Sequence, residues 1–244
     1  MFTAAGIQQT GIVQDSLYMN FDLQSGQLNT LVPNQGANFQ DSVYNTPLII
    51  TSGSFVKSTT TPAYIDFQSA STGSQIWPTN ASGAGIGYDF LTSTSWTIQA
   101  WTWWDVITGD PCLISHGRAA QNQGLHVIAR DNKLQFAFYL DDIQSVTNLT
   151  ANTWVNIALT YNRKTGFRKE IYLNGRLDNA ANGSQYIGSS PFPNNTTLGY
   201  INWIGFAGNP WNGRLGQMLF YGKALTASEV RQNYDATKQF YNIL

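Results

Sequence analysis

Cysteine occurs once, at position 112, in a chain of 244 residues. No disulfide can form within the chain, so its apolar interior must hold the fold together. Charge is also scarce. Asp, Glu, Lys and Arg make up 11%, under half the roughly 25% of an ordinary globular protein, and they nearly cancel to −1. A phosphate backbone is held by clustered Lys and Arg that release counterions, so nucleic acid is not an expected partner. No Lys or Arg precedes Lys57, which denies the N-terminus the positive region of a secretory signal. Apolar runs are short pieces such as Leu48-Ile49-Ile50, well below the ~18 residues that cross a bilayer, so membrane insertion is not expected.

What is present is neutral and aromatic. Asn, Gln, Ser and Thr total 82 residues, while 42% of the chain is hydrophobic and 14% aromatic. Uncharged polar groups keep the surface wet, and the apolar area suffices for a sizeable core, which excludes disorder for most of the chain. All-β sandwiches reach this length as one unit, so a single large domain is expected.

From about Tyr64 onward, polar residues alternate with apolar or aromatic ones between breaks of Gly, Pro, Asn and Asp, the period-2 pattern of antiparallel sheet. Ser95 to Asp105 places Trp96, Ile98, Ala100 and Trp104 on one face and Thr97, Gln99, Trp101 and Trp103 on the other. Aromatics on both faces suit a central strand. Asp131-Asn132-Lys133 reads as the turn of a hairpin from His126–Arg130 into Leu134–Leu140. Trp154–Tyr161 and Lys169–Leu173 form a second hairpin, and Asn174-Gly175 closes it because both residues tolerate positive φ. Thr226-Ala227-Ser228-Glu229 fits a capping box opening a helix to about Phe240, with Val230, Tyr234 and Tyr241 as its apolar stripe, expected against the sheet edge or the N-terminal segment. Leu17–Leu23 and Pro47–Ile50 look strand-like. Ser52–Pro62 and Ser69–Gly87 read as long surface loops.

Several of these segments resemble the concanavalin A-like jelly roll of the laminin-G-like (LamG and pentraxin) group. Ser95–Trp101 resembles its FTI-x-AW strand, Trp154–Tyr161 its W-x-x-I/V-A-x-T-Y strand and Ile171–Gly175 its IYLNG hairpin. Gly213–Tyr221 followed by Ala224-Leu225-Thr226 and Glu229-Val230 resembles its closing signature. The resemblance, over roughly Gly11 to Leu244, implies a two-sheet antiparallel sandwich with one C-terminal helix. Family members use that sandwich for carbohydrate binding, adhesion or particle architecture, and sometimes for glycan hydrolysis. Gly11–Leu17 and Gln232-Asn233-Tyr234 are similar to such domains in bacteriophage and other viral structural proteins. The expected organisation is an N-terminal arm over residues 1–15 and one domain over 16–244.

Little in the sequence points to chemistry. Glycoside hydrolysis needs two opposed carboxyl groups, yet the only glutamates are Glu170 and Glu229. One sits among Arg168 and Lys169, the other in the helix cap. Asp141-Asp142 follows a strand end, where solvated turn carboxylates are common. Cys112 and His116 could touch, but no third group orients them. Two histidines without metal-ligand spacing predict no transition-metal site. No cofactor is expected. Calcium, which some laminin-G-like domains hold, stays open, with Asp105, Asp110, Asp131 and Asp178 as ligands that no spacing selects.

Binding is the stronger reading. Rings stack on the C–H faces of sugars while amides meet the hydroxyls. Trp211 with Asn209 and Asn212, and Trp77 before Pro78, are the candidate sugar contacts, weighed against packing in the core or as loop anchors. Arg163, Lys164, Arg168, Lys169 and Arg176 form a candidate patch for an acidic subunit or anionic glycans, weighed against a solvated hairpin that guards an edge strand. The sequence thus reads as a non-enzymatic virion structural protein on the particle surface, a capsid decoration or fibre-type subunit, made in the host cytoplasm without a signal peptide. Its partners would be other virion proteins, copies of itself and host surface glycans. The alternatives are a carbohydrate-binding adhesin module and a glycoside hydrolase with unrecognised carboxylates.

Overall fold

A computed structural model describes residues 11–21, 39–40, 47–52, 54–58, 61–68, 75–78, 89–188, 197–198, 201–203 and 206–243. The first strands are β1 (Leu17–Phe21), β2 (Phe39–Gln40), β3 (Pro47–Ser52), β4 (Ser54–Ser58), β5 (Tyr64–Gln68) and β6 (Gln75–Pro78). A short helix, α1 (Asp89–Ser93), leads into β7 (Trp96–Trp104), β8 (Cys112–Gly117), β9 (Gly124–Arg130), β10 (Lys133–Ala137) and β11 (Asp142–Asn148). There follow β12 (Trp154–Asn162), β13 (Arg168–Leu173), β14 (Arg176–Asn182), β15 (Thr197–Leu198), β16 (Ile201–Trp203), β17 (Phe206–Gly208), β18 (Gly213–Tyr221) and the helix α2 (Ala227–Thr237).

Two antiparallel sheets stack. One runs β14-β13-β12-β7-β18-β5-β4 with β1 also paired to β18, and the other runs β11-β10-β9-β8-β15-β6-β3-β2. The expected antiparallel sandwich with one C-terminal helix is therefore the observed architecture. Between the sheets, Trp96 meets Phe136 at 5.5 Å and Tyr161 at 5.6 Å between ring centroids, and Ile98, Leu113, Val127, Ile157 and Phe220 complete the interior. The turns follow the predicted chemistry: Asp131 and Asn132 stand at φ 52° and 64°, Asn174 and Gly175 at 49° and 72°.

Helix α2 is capped as predicted, with the Glu229 amide donating to the Thr226 hydroxyl and the Thr226 amide to the Glu229 carboxylate. It meets the N-terminal segment, one of the two expected positions, with Gln232 Nε2 donating to the Gly11 carbonyl at 2.8 Å. It lies across the outer face of the central strands, because Gln99 and Trp101 of β7 present donors that the helix accepts. Gln99 Nε2 donates to the Val230 carbonyl at 3.2 Å and Trp101 Nε1 to the Thr237 hydroxyl at 2.8 Å. Two readings are corrected: β4 lies within the expected loop Ser52–Pro62 and β6 within Ser69–Gly87. Residues 11–15, expected in an arm, pack on the domain. The Val13 amide donates to Asn233 Oδ1 at 2.8 Å, and Asp15 pairs with Lys223.

Candidate functional site

Trp211 is 0% exposed. Its ring packs on Phe67 at 5.0 Å and Trp104 at 5.3 Å, so it has no open face for a sugar, and the sequence reading of a contact ring is corrected. The reason lies in its neighbours. The Asn209 carbonyl accepts from the Cys112 amide at 3.0 Å and the Asn212 carbonyl from the Asp105 amide at 3.1 Å. Segment 209–212 is thus a strap between the two sheets, and Trp211 is its anchor. Trp77 falls in β6, where its backbone pairs with Ile49; its side chain lies outside the described residues, as does that of Trp203.

The five basic residues do not make one patch, because strand alternation sends them to different places. Lys169 is 0% exposed and pairs with Asp141 at 2.9 Å, its ammonium 4.9 Å from the Phe138 ring centroid. Burial pushes its pKa down, and the Asp141 carboxylate pulls it back up without cancelling the effect. Asp141 is therefore not the solvated turn carboxylate expected. Arg168 pairs with Glu170 at 2.8 Å. Arg163 and Lys164 line a hollow beside the start of β7. Only Arg176 reaches the groove beside the Asn174-Gly175 turn.

That groove, about 480 Å³, opens between the Asn174-Gly175 turn, the edge of β14, β11 and helix α2. Asn174, Arg176, Leu177 and Asp178 form one wall, and Arg231, Tyr234 and Lys238 the other. A single glycine sets their separation. A Cβ on Gly175 would lie 2.8 Å from Tyr234 Cβ, so only glycine lets the turn rest on the helix. Asp178 accepts from the Val146 and Thr147 amides at 2.5 and 3.2 Å, and Asn179 Nδ2 donates to the Gln144 carbonyl at 2.6 Å. These bonds stitch the edge strands β11 and β14 together and hold the wall. Leu177 is 51% and Val146 66% exposed, an apolar lip on an otherwise polar opening.

The electrostatics favour an electron-rich ligand. Arg231 and Lys238 both pair with Asp235 and lie 5.2 and 5.9 Å from the Tyr234 ring centroid. Arg176 is exposed and forms no ion pair among the described residues. The one carboxylate among the described lining residues, Asp178, is committed to backbone amides, so the described residues supply no opposed pair of acids for bond cleavage in this groove. Cys112 and His116 engage different partners: the thiol donates to the Ile114 carbonyl at 3.2 Å, and His116 Nδ1 lies 2.7 Å from the Tyr186 hydroxyl. Burial pushes the Cys112 thiol up and holds His116 down at about 4, so neither is poised for nucleophilic chemistry. No three His, Cys, Asp or Glu side chains among the described residues converge on a point. Of the aspartates considered for calcium, Asp110 pairs with Arg130 and Asp105 accepts from Trp103 Nε1. Sequence reasoning missed the groove because it requires knowing that the Asn-Gly turn meets residues 231 and 234 of α2 and residue 238 just beyond it.

The model of the Concanavalin A-like lectin/glucanases superfamily matches residues 68–231. No curated protein sequence matches this one. Among solved structures, similarity extends to botulinum neurotoxin type C, whose cell entry is dependent upon interaction with two ganglioside molecules (15% identity, TM-score 0.62, 91% of this chain and 51% of that one). It extends also to the binding domain of botulinum neurotoxin DC in complex with rat synaptotagmin II (15%, 0.63, 91% and 51%). A mutant of Trypanosoma rangeli sialidase displaying trans-sialidase activity is similar as well (11%, 0.63, 93% and 33%). The chain spans about half the length of the toxin structures it matches and a third of the sialidase. At such identities the likeness shows the fold.

Proposed function

Because this chain belongs to the concanavalin A-like lectin/glucanases superfamily, we propose that it is a non-catalytic glycan-recognition module whose binding site is the groove between β14 and α2. The observation that carries this reading is the groove's composition. Leu177 and the Leu173 side chain offer apolar surface for sugar C–H groups, Asn174 and Thr147 offer hydrogen bonds, and Arg176 offers an unpaired guanidinium. Few, fixed polar groups around apolar contact area are what orient a small ligand. Ganglioside interaction in one structural relative and sialidase chemistry in another make sugars the ligand class to test first. A glycan array should show saturable binding that Arg176→Ala weakens about tenfold, the value of one charge-assisted hydrogen bond. A silent array, or a variant that binds like the wild type, overturns the proposal.

The setting we propose is the surface of a virus particle, where the module would contact copies of itself, other virion proteins and host glycans. Support comes from the similarity of Gly11–Leu17 to the opening of viral structural domains and from the uncharged, amide-rich composition. Removing residues 1–10, which precede the packed residues 11–15, should abolish incorporation into particles. Unchanged occupancy overturns the setting and leaves the groove untouched.

A further inference from the structure

A second hollow, about 560 Å³, lies at the other end of the sheet that carries α2. Three adjacent strands bring its walls together: residues 93–95 lead into β7, Asn162–Lys164 leave β12, and Gly222–Ala224 leave β18. The Asn-Gly turn is tied to Asn156 by the bond from the Asn156 amide to Asn174 Oδ1, 3.0 Å long. The two sites are thus separated by the run of β12 from Asn156 to Asn162, about 20 Å of extended strand.

Among the described residues no Asp or Glu lines the second hollow, while Arg163, Lys164 and Lys223 do. Lys223 is balanced by Asp15 and Glu229. The other two form no ion pair among the described residues. Arg163 is half-buried and fixed: its amide donates to Ser95 Oγ at 3.1 Å, and its Nη1 donates to the Thr92 carbonyl at 2.5 Å and the Tyr186 carbonyl at 3.5 Å. One corner of the guanidinium is therefore held by neutral carbonyls. The edge formed by Nε and Nη2 makes no hydrogen bond in the described structure and stays available as a two-pronged donor for an oxyanion. The Lys164 amide is held by Asn162 Oδ1 at 3.0 Å, which fixes the backbone beneath an exposed, unpaired ammonium.

The geometry points to a second binding site here, specific for the sulfate or other oxyanion group of an acidic glycan. A carbohydrate fits better than a nucleic acid because none of the described residues lining the hollow is aromatic, and the neighbouring Tyr18 ring packs against Gly222. The site does not depend on the first groove.

Titration calorimetry of the whole chain with a sulfated tetrasaccharide, the same sugar without its sulfates, inorganic sulfate and a single-stranded oligonucleotide of equal charge tests the assignment. The sulfated sugar should bind saturably, inorganic sulfate should compete with it at higher concentration, and the desulfated sugar should not bind. Arg163→Lys, which keeps the charge and loses the fork, should weaken binding about tenfold. Lys164→Glu, on an exposed side chain that supports no packing, should weaken it about fivefold or more. Arg176→Ala, at the opposite end, should leave this affinity unchanged. Equal binding of the desulfated sugar, tighter binding of the oligonucleotide, wild-type affinity in both Arg163→Lys and Lys164→Glu, or loss of binding in Arg176→Ala would each overturn it.

Discussion

Strand β7 is buried on both faces, but the outer face adds a network of buried amide hydrogen bonds to its ring packing, in which Trp101 stacks on Tyr234 and Tyr241. Its inner residues Trp96, Ile98, Ala100 and Trp104 meet rings and aliphatic chains from the opposite sheet. Its outer residues make directed bonds to helix α2, to the segment leading into it and to the next strand: Gln99 Oε1 accepts from Asn233 Nδ2 at 2.8 Å, Thr97 Oγ1 accepts from the Leu225 amide at 2.8 Å, and Gln99 Nε2 donates to Asn156 Oδ1 of β12 at 2.9 Å. Non-directional burial decides that two sheets stack and tolerates many rotations of one on the other. Buried amides must find their partners, so they allow one placement of the helix. The outer face thereby puts Tyr234 under the Gly175 turn and shapes the first groove, while the inner face supplies the stability that the groove draws on.

The inner face has one charged exception, and removing half of it should have the largest effect of any single change. Asp141→Ala leaves the Lys169 ammonium buried without its carboxylate and should cost about 3–5 kcal/mol. Asp141→Ala combined with Lys169→Met, which removes both charges and lets a thioether fill the space between Phe136 and Phe138, should cost less than Asp141→Ala alone, since a buried pair is often no more stable than apolar residues of equal volume. Denaturant melts of the two variants measure the difference. Equal losses would mean that the pair contributes net attraction and that the inner face is not purely a matter of apolar burial.

Burial of His116 gives the inner face a dependence on pH. The Tyr186 hydroxyl donates to the His116 carbonyl at 2.9 Å, which leaves Nδ1–H of a neutral imidazole to donate to that hydroxyl. Unfolded, the ring takes a proton near pH 6.5; folded, burial delays this to about 4. Between those values the unfolded state binds more protons, so the contribution is complete above pH 6.5 and is lost as pH falls toward 4. The loss is up to about 3 kcal/mol. Melts at pH 7.5 and 4.5 should show it in the wild type and not in His116→Asn, whose amide can replace Nδ1. A variant that loses as much as the wild type would assign the acid sensitivity to other groups: His126, which burial also holds below its ordinary value, or carboxylates such as Glu170, which hydrogen bonds from Tyr172 and Arg168 hold low against the effect of burial.

Why was the sandwich legible in the sequence and the groove not? Alternation in β7, the paired turns at Asp131-Asn132 and Asn174-Gly175, and the Thr226–Glu229 box are local patterns, each readable from a few neighbouring residues. Burial of Trp211 and Lys169 is not local. Trp211 looks like a loop ring until the strap carbonyls of Asn209 and Asn212 are seen bonded to two sheets. Lys169 looks like one more surface cation until strand parity and Asp141 turn it inward. The groove joins residue 176 to residue 234, and no pattern in the intervening sequence encodes that meeting. Its one sequence trace is Gly175, where the turn already demanded glycine for its φ. Gly175→Ala should cost about 2 kcal/mol, from a positive φ on a residue with a Cβ and the displaced Tyr234. It should also abolish glycan binding. Retained binding would show that the groove does not depend on the turn resting on the helix.

The smallest effect on stability belongs to the residue on which recognition most depends. Arg176 is exposed and supports no packing, so Arg176→Ala should change the unfolding free energy by no more than about 0.5 kcal/mol, within the error of most melts, even as array binding falls. Function and fold then separate at a single position, with the inner face of β7 carrying stability, the outer face carrying placement, and the rim carrying the ligand. A stability loss near that of Gly175→Ala would tie Arg176 into the α2 contact. The division between a face that holds and a rim that binds would then fail at the point where it predicts no coupling.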